Sequence, residues 1–117
     1  KIFLAELPES ELPEIVAETG LARFTPHTIG GLRQLETELV EVRRRGYALD
    51  LEELEMGLSC IAAGVRNHAG EIVAAIGVSI PMTRFEDRRT SLVERIRSAA
   101  DQVSGRLGFT GECRREG

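Results

Sequence analysis

The side chains able to do chemistry in this chain are few and fall in three places. A thiol, Cys60, and a hydroxyl, Ser79, interrupt two neighbouring apolar runs, 58–65 and 71–80. Asp50, Glu52, Glu53 and Glu55 crowd the stretch just before the first run. His27 and His68 stand alone in turn-like segments. A thiol becomes a nucleophile or redox centre when its surroundings favour the thiolate. The same thiol and hydroxyl on an apolar wall would instead be the few polar anchors of a small-molecule pocket. Clustered carboxylates are raw material for a cation site or for general acid–base work.

Spacing argues against several of these. The acidic stretch lacks the alternating oxygen ligands and central glycine of an EF-hand loop, so a solvated loop capped by Asp50 at a strand end is the simpler reading. The two histidines have no helical partner that would make a metal pair, although a Cys60–His pair stays open. Gly30-Gly31 neither follows a strand nor precedes a Lys-Ser/Thr pair, so it is no phosphate loop. Arg43-Arg44-Arg45 follows Glu36, Glu38 and Glu41, and Glu41 and Arg45 are spaced i,i+4. That run reads as basic charge at a helix C-terminus. With a net charge of −4, the chain offers DNA phosphates no cationic face, and direct DNA contact is not expected.

The elements that must position these residues can be read from periodicity. A length of 117 residues, 42% of them hydrophobic and 29% charged, fits one globular domain. No apolar run approaches the roughly 18–20 residues of a membrane span, and Lys1 to Ala5 is too short for a signal peptide. A cytoplasmic protein with no membrane partner is expected. Cys60 and Cys113 lie far apart in unlike contexts, giving neither a disulfide framework nor a zinc site, and no cofactor is expected. A short helix carrying Leu12, Ile15 and Val16, with Ser10 as its N-cap, should stop at Gly20. Pro26 breaks the pattern. A second helix carries Leu32, Leu35, Leu39 and Val42 and ends at Gly46. Tyr47–Leu49 is a short strand. Leu58–Val65 and Glu71–Ile80 are two longer ones joined by the turn Asn67–Gly70. A last helix from about Asp87 to Leu107 should bury Leu92, Ile96, Ala99, Ala100, Val103 and Leu107, with Gly108 just past its end.

A hairpin flanked by amphipathic helices predicts an α+β fold, an antiparallel sheet with helices packed on it. Three strands make a thin sheet, so further strands are expected upstream of Lys1. Side chains alternate across a strand. One face of the hairpin therefore gathers Ile61, Val65, Ile72, Ile76, Val78 and Ile80, while the other gathers Cys60, Ala62, Gly64, Ala75, Gly77 and Ser79. A four-residue turn would pair Arg66 with Glu71, Cys60 with Gly77 and Leu58 with Ser79. Small residues then cluster in one patch. It is either a ligand pocket or the seat of a closely packed helix.

The order of motifs resembles a known family. Phe24-Thr25-Pro26-His27-Thr28-Ile29, Arg44 to Asp50, Glu53, Gly57 to Ala63, Ala74 to Pro81, Arg84 and Leu107-Gly108 together resemble the effector-binding domain of IclR-type transcription regulators, over residues 1 to about 109. The resemblance implies a GAF-like (profilin-like) sensor domain over residues 1–109 followed by a polar tail, 110–117. It implies a non-enzymatic role: a small organic effector, such as a carboxylate, controls DNA binding by a winged helix-turn-helix domain outside this chain, in a homodimer or homotetramer. By the same resemblance, Asp50, Leu58, Cys60, Gly77 and Ser79 line the effector site; Met82 is a candidate cap, although filling the core is the commoner use of such a side chain. The family's carboxylate-cradling amides would lie just before Lys1. Many members carry Ser where this chain has Gly77, Gly where it has Ile80 and Pro where it has Gly64. The missing hydroxyl at Gly77 implies extra space and a larger or less polar effector than a two- or three-carbon acid. The alternatives are an oligomerisation domain that binds nothing, and a GAF-like redox enzyme using Cys60.

Overall fold

The structure is a computed structural model that describes residues 1–8 and 10–111. Residues 112–117, which include Cys113 and most of the expected polar tail, lie outside the described residues, as does Glu9. Seven elements follow one another: α1 (Ile2–Ala5), α2 (Leu12–Thr19), α3 (Leu32–Arg45), β1 (Ala48–Leu51), β2 (Leu58–Arg66), β3 (Ile72–Pro81) and α4 (Met82–Arg106). The three strands form one antiparallel sheet in the order β1-β2-β3. Helix α4 covers one face, and α1 and α3 cover part of the other. The expected α+β architecture is what the chain adopts.

α3 forms where the i, i+3, i+4, i+7 spacing places it. Leu35, Leu39 and Val42 are buried, and Gly46 closes the helix in a left-handed conformation that a glycine adopts without steric cost (φ 85°). Its C-terminal arginines pair otherwise than i,i+4 spacing implied. Arg44 hydrogen-bonds Glu41, holding that carboxyl below its usual value, while Arg45 reaches back to Glu38 at 3.2 Å. α2 stops at Gly20 as expected, but its N-cap is Glu11 rather than Ser10, and no side chain caps it. α1, four residues long, shows no periodicity in sequence, yet it buries Ile2 and Ala5.

The last helix begins five residues before Asp87, at Met82, immediately after the strand. Pro81 ends β3 and is also the N-cap of α4, a place where proline's missing N–H costs nothing. The buried stripe of α4 also differs from the expected one. Phe85, Ala100 and Ser104 are buried, whereas Val103 and Leu107 are exposed. Ser104 displaces its apolar neighbours because its hydroxyl accepts the Arg66 N–H at 2.9 Å and donates to the Ala100 carbonyl at 2.8 Å. The helix ends in a Schellman motif. Gly108 N–H bonds the Gly105 carbonyl and Phe109 N–H the Ser104 carbonyl, with Gly108 at φ 96°.

The hairpin register is offset by two residues from the expectation. Cys60 pairs with Ser79, Ala62 with Gly77, and Leu58 with Pro81. The irregularity lies between Val65, which faces Ala74, and Arg66, which faces Ile72, so Val73 is an extra residue. An even offset preserves faces, since side chains repeat every second residue. The bulge does reverse one residue. Ile72 leaves the α4 face and packs with Ile2 and Ala62 on the opposite side.

Candidate functional site

Burial alternates strictly along β2. Ser59, Ile61, Ala63 and Val65 are sealed beneath α4, while Leu58, Cys60, Ala62 and Gly64 are only half-buried. The second group forms the small-residue face, and α1 and α3 divide it in two. At one end, Ala48, Ala62 and Ile72 lie under Ile2, Leu35 and Leu39, so there the closely packed helix is what the sequence left open. At the other end, no such cover reaches Gly77 and Ser79, which are exposed on β3.

The open end carries one polar row across all three strands. Asp50 on β1 faces Cys60 on β2, and Cys60 faces Ser79 on β3. The Cys60 Sγ and Ser79 Oγ lie 3.1 Å apart, so thiol and hydroxyl meet on the same side of the sheet. The Asp50 Oδ1 accepts the backbone N–H of Glu53 at 2.9 Å, the capping role expected for a residue where the strand gives way to the loop. Leu58 lies two residues from Cys60 on the same face. Gly77 stands beside Ser79, opposite Ala62. Four of the five residues expected at the effector site thus lie around the fifth, Cys60.

Two details correct the sequence reading. Met82 does not cap this row. Its sulfur accepts a hydrogen bond from Ser59 Oγ at 2.7 Å, and it packs with Leu49, Ile61 and Phe85 on the opposite face, under α4. Nor does Gly77 stand over spare volume. A Cβ there would come within 2.9 Å of the Ile61 carbonyl oxygen and 3.3 Å of the Ala62 Cβ. The glycine lets β3 approach β2 closely. Gly77→Ser is therefore expected to push the strands apart and cost about 1–3 kcal/mol. At roughly 4–8 °C per kcal/mol for a domain of this size, a thermal melt reads it directly.

The acidic loop is spent on structure. Glu52 adopts a positive φ of 62° and its carboxylate accepts the Gly57 N–H at 2.7 Å. The Thr25 hydroxyl donates to the Glu52 carbonyl at 2.6 Å, and the Thr28 hydroxyl donates to the Glu53 carbonyl. The Lys1 ammonium donates to the Glu53 carboxylate at 2.7 Å, the Glu38 carboxylate at 3.1 Å and the Leu49 carbonyl at 2.6 Å. Sequence reasoning missed Lys1, Thr25 and Thr28 as partners of this loop. The resemblance of 24–29 to a family turn marked the segment but not what it holds. Among the described residues no group of three His, Cys, Asp or Glu side chains is placed to hold a metal ion. His68 sits at the hairpin tip beside Gly108, about 20 Å along the strand from Cys60 at 3.3 Å per residue. Two surface depressions, one between Ile2, Arg43, Arg97 and Ser104 and one between Leu4, Leu12, Leu39 and Val40, include none of the five site residues. Among the described residues no helix is long and apolar enough to cross a membrane.

Comparison with known proteins places this geometry. A family model described as the bacterial transcriptional regulator IclR C-terminal matches residues 1–105. The HTH-type transcriptional repressor AllR of Salmonella typhimurium is 45% identical over 110 residues, covering 93% of this chain and 40% of that protein. The C-terminal domain of the Escherichia coli transcriptional regulator KdgR superposes with a TM-score of 0.84 at 34% identity, covering 92% of this chain and 66% of that one. The Thermotoga maritima IclR does so with a TM-score of 0.83 at 35% identity, covering 92% of this chain and 44% of that one. The chain spans about 40% of the length of the AllR repressors it matches.

Proposed function

The chain belongs to the IclR C-terminal family, the effector-binding domains of bacterial transcriptional regulators, and from that premise we propose that the open row Asp50–Cys60–Ser79 receives its effector. The observation that carries this reading is the contact between Cys60 Sγ and Ser79 Oγ, 3.1 Å apart, on the part of the small-residue face that α1 and α3 leave uncovered. Ser79 offers a donor and acceptor, Asp50 an acceptor, Cys60 a polarisable wall and Leu58 an apolar edge. Gly77 adds a flat floor on which a ligand can approach the backbone. An organic acid would direct its carboxylate toward the Ser79 hydroxyl and keep its own hydroxyl or amide donor for Asp50, because two carboxylates repel.

Control of DNA is then allosteric. An effector that binds one arrangement of the sensor better than another shifts the population able to bind DNA, through a winged helix-turn-helix domain elsewhere in the same polypeptide of a cytoplasmic homodimer or homotetramer. The domain itself catalyses nothing in this reading, in keeping with relatives that are transcriptional regulators.

A thermal-shift panel of hydroxy, keto and amido acids, two to six carbons long, on the intact regulator tests the proposal. An effector at 100 times its Kd adds about 2.7 kcal/mol of stability. Stabilisation by at least one member of the panel is the expected outcome. Silence across the panel would leave the oligomerisation role.

A further inference from the structure

One residue of the acidic loop is held from three sides. Glu53 gives its carbonyl to the Thr28 hydroxyl, its carboxylate to the Lys1 ammonium at 2.7 Å, and its N–H to Asp50 Oδ1 at 2.9 Å. The Thr28 hydroxyl is itself fixed, since its oxygen accepts the N–H groups of Phe24 at 3.1 Å and Thr25 at 2.9 Å. Thr25 is buried and anchors the preceding carbonyl, that of Glu52, at 2.6 Å. Lys1 ties the same loop to α3 through Glu38 and to β1 through the Leu49 carbonyl. Among the described residues the Glu53 amide is the one hydrogen-bond partner of the Asp50 carboxylate, and it sets which way that side chain turns at the end of the polar row. A surface loop needs none of this to be solvated. Three tethers on one residue, to its N–H, its carbonyl and its carboxylate, fix a geometry.

We propose that Thr28 and Lys1 are positioning residues for effector recognition: by fixing Glu53 they set the orientation of the Asp50 carboxylate at the β1 end of the row that continues through Cys60 and Ser79. This rests on the reading of that row as the effector site, but its test contains no effector, so either idea can fail alone.

The test uses Cys60, directly opposite Asp50 in the ladder, as a local probe of charge. Iodoacetamide is neutral and iodoacetate anionic, and both attack through the same thiolate. The ratio of their rates on the Cys60 peptide, followed by mass spectrometry, therefore cancels thiolate fraction and reads the nearby negative charge. Asp50→Asn should lower the preference for the neutral reagent several-fold. Thr28→Val, which changes no charge, should lower it toward the same value, add nothing further in the Asp50→Asn background, and be reversed by Thr28→Ser. Lys1→Arg, which keeps the charge while changing the reach to the Glu53 carboxylate, serves if Thr28→Val does not melt cooperatively. With it, the readout is again the loss of its effect once Asp50 is asparagine. An unchanged ratio in a folded Thr28→Val chain, or an equal change in both backgrounds, would overturn the proposal.

Discussion

Replacing Cys60 and Ser79 together by valine abolishes the effector response while the domain stays folded; this is the expected result with the largest functional effect. Ser79 is exposed and Cys60 half-buried, and β-branched residues suit a strand, so the sheet loses little. The site loses the hydroxyl that would bond a charged ligand group. A hydrogen bond to a charged group is worth about 1.5–3 kcal/mol, which corresponds to roughly a 10- to 150-fold weaker Kd, and the two added methyl-bearing side chains also fill the floor. Calorimetric titration with the strongest binder of the acid panel measures it. Undiminished affinity in a chain that melts normally would remove the row from the effector site.

Phe85→Ala is expected to carry the largest stability cost. Its ring is fully buried, at 0% exposure, among Leu49, Ile61 and residues of α4. Truncating such a phenylalanine costs about 3–5 kcal/mol, a large share of the 5–15 kcal/mol typical of a domain. A urea midpoint measures the loss. Val103→Ala, on the same helix but 39% exposed, should stay within about 0.5 kcal/mol. If the two substitutions cost the same, the buried stripe of α4 is not the one described.

What the sequence disclosed and what it withheld have separate physical causes. Apolar spacing located α3 and the hairpin because a long periodic pattern survives local detail. Two-residue periodicity sorted Cys60 and Ser79 onto one face even though the assumed pairing was offset by two, because the period of the side chains is itself two. The bulge at Val73 left no signature, for nothing in Glu71-Ile72-Val73-Ala74 distinguishes an extra residue from a paired one, and so Ile72 was assigned to the wrong side. The start of α4 was hidden because Pro81 reads equally as a strand stop and as a helix N-cap, and the turn after it, Met82 to Asp87, is largely polar. At the site, family resemblance and alternation chose the residues, and the structure groups them. Which half of the small face is open was not legible, since it depends on where a four-residue helix and α3 come to rest. The loop tethers were not legible either. A hydroxyl donating to a distant carbonyl, as Thr28 does to Glu53, has no spacing rule to announce it.

The strict alternation of burial along β2 has an evolutionary corollary. Odd-numbered positions there are tied to fold integrity, as are Ala62 and Gly64 beneath α1 and α3, whereas Leu58 and Cys60 can drift without unravelling the domain. If the proposed row is the effector site, a lineage or a laboratory library that diversifies Leu58, Cys60 and Ser79 explores new effectors on an unchanged scaffold. Gly77 is an exception on that palette: it lies on the same exposed face, yet the Ile61 carbonyl 2.9 Å from its missing Cβ means that any side chain there must first be accommodated by the backbone.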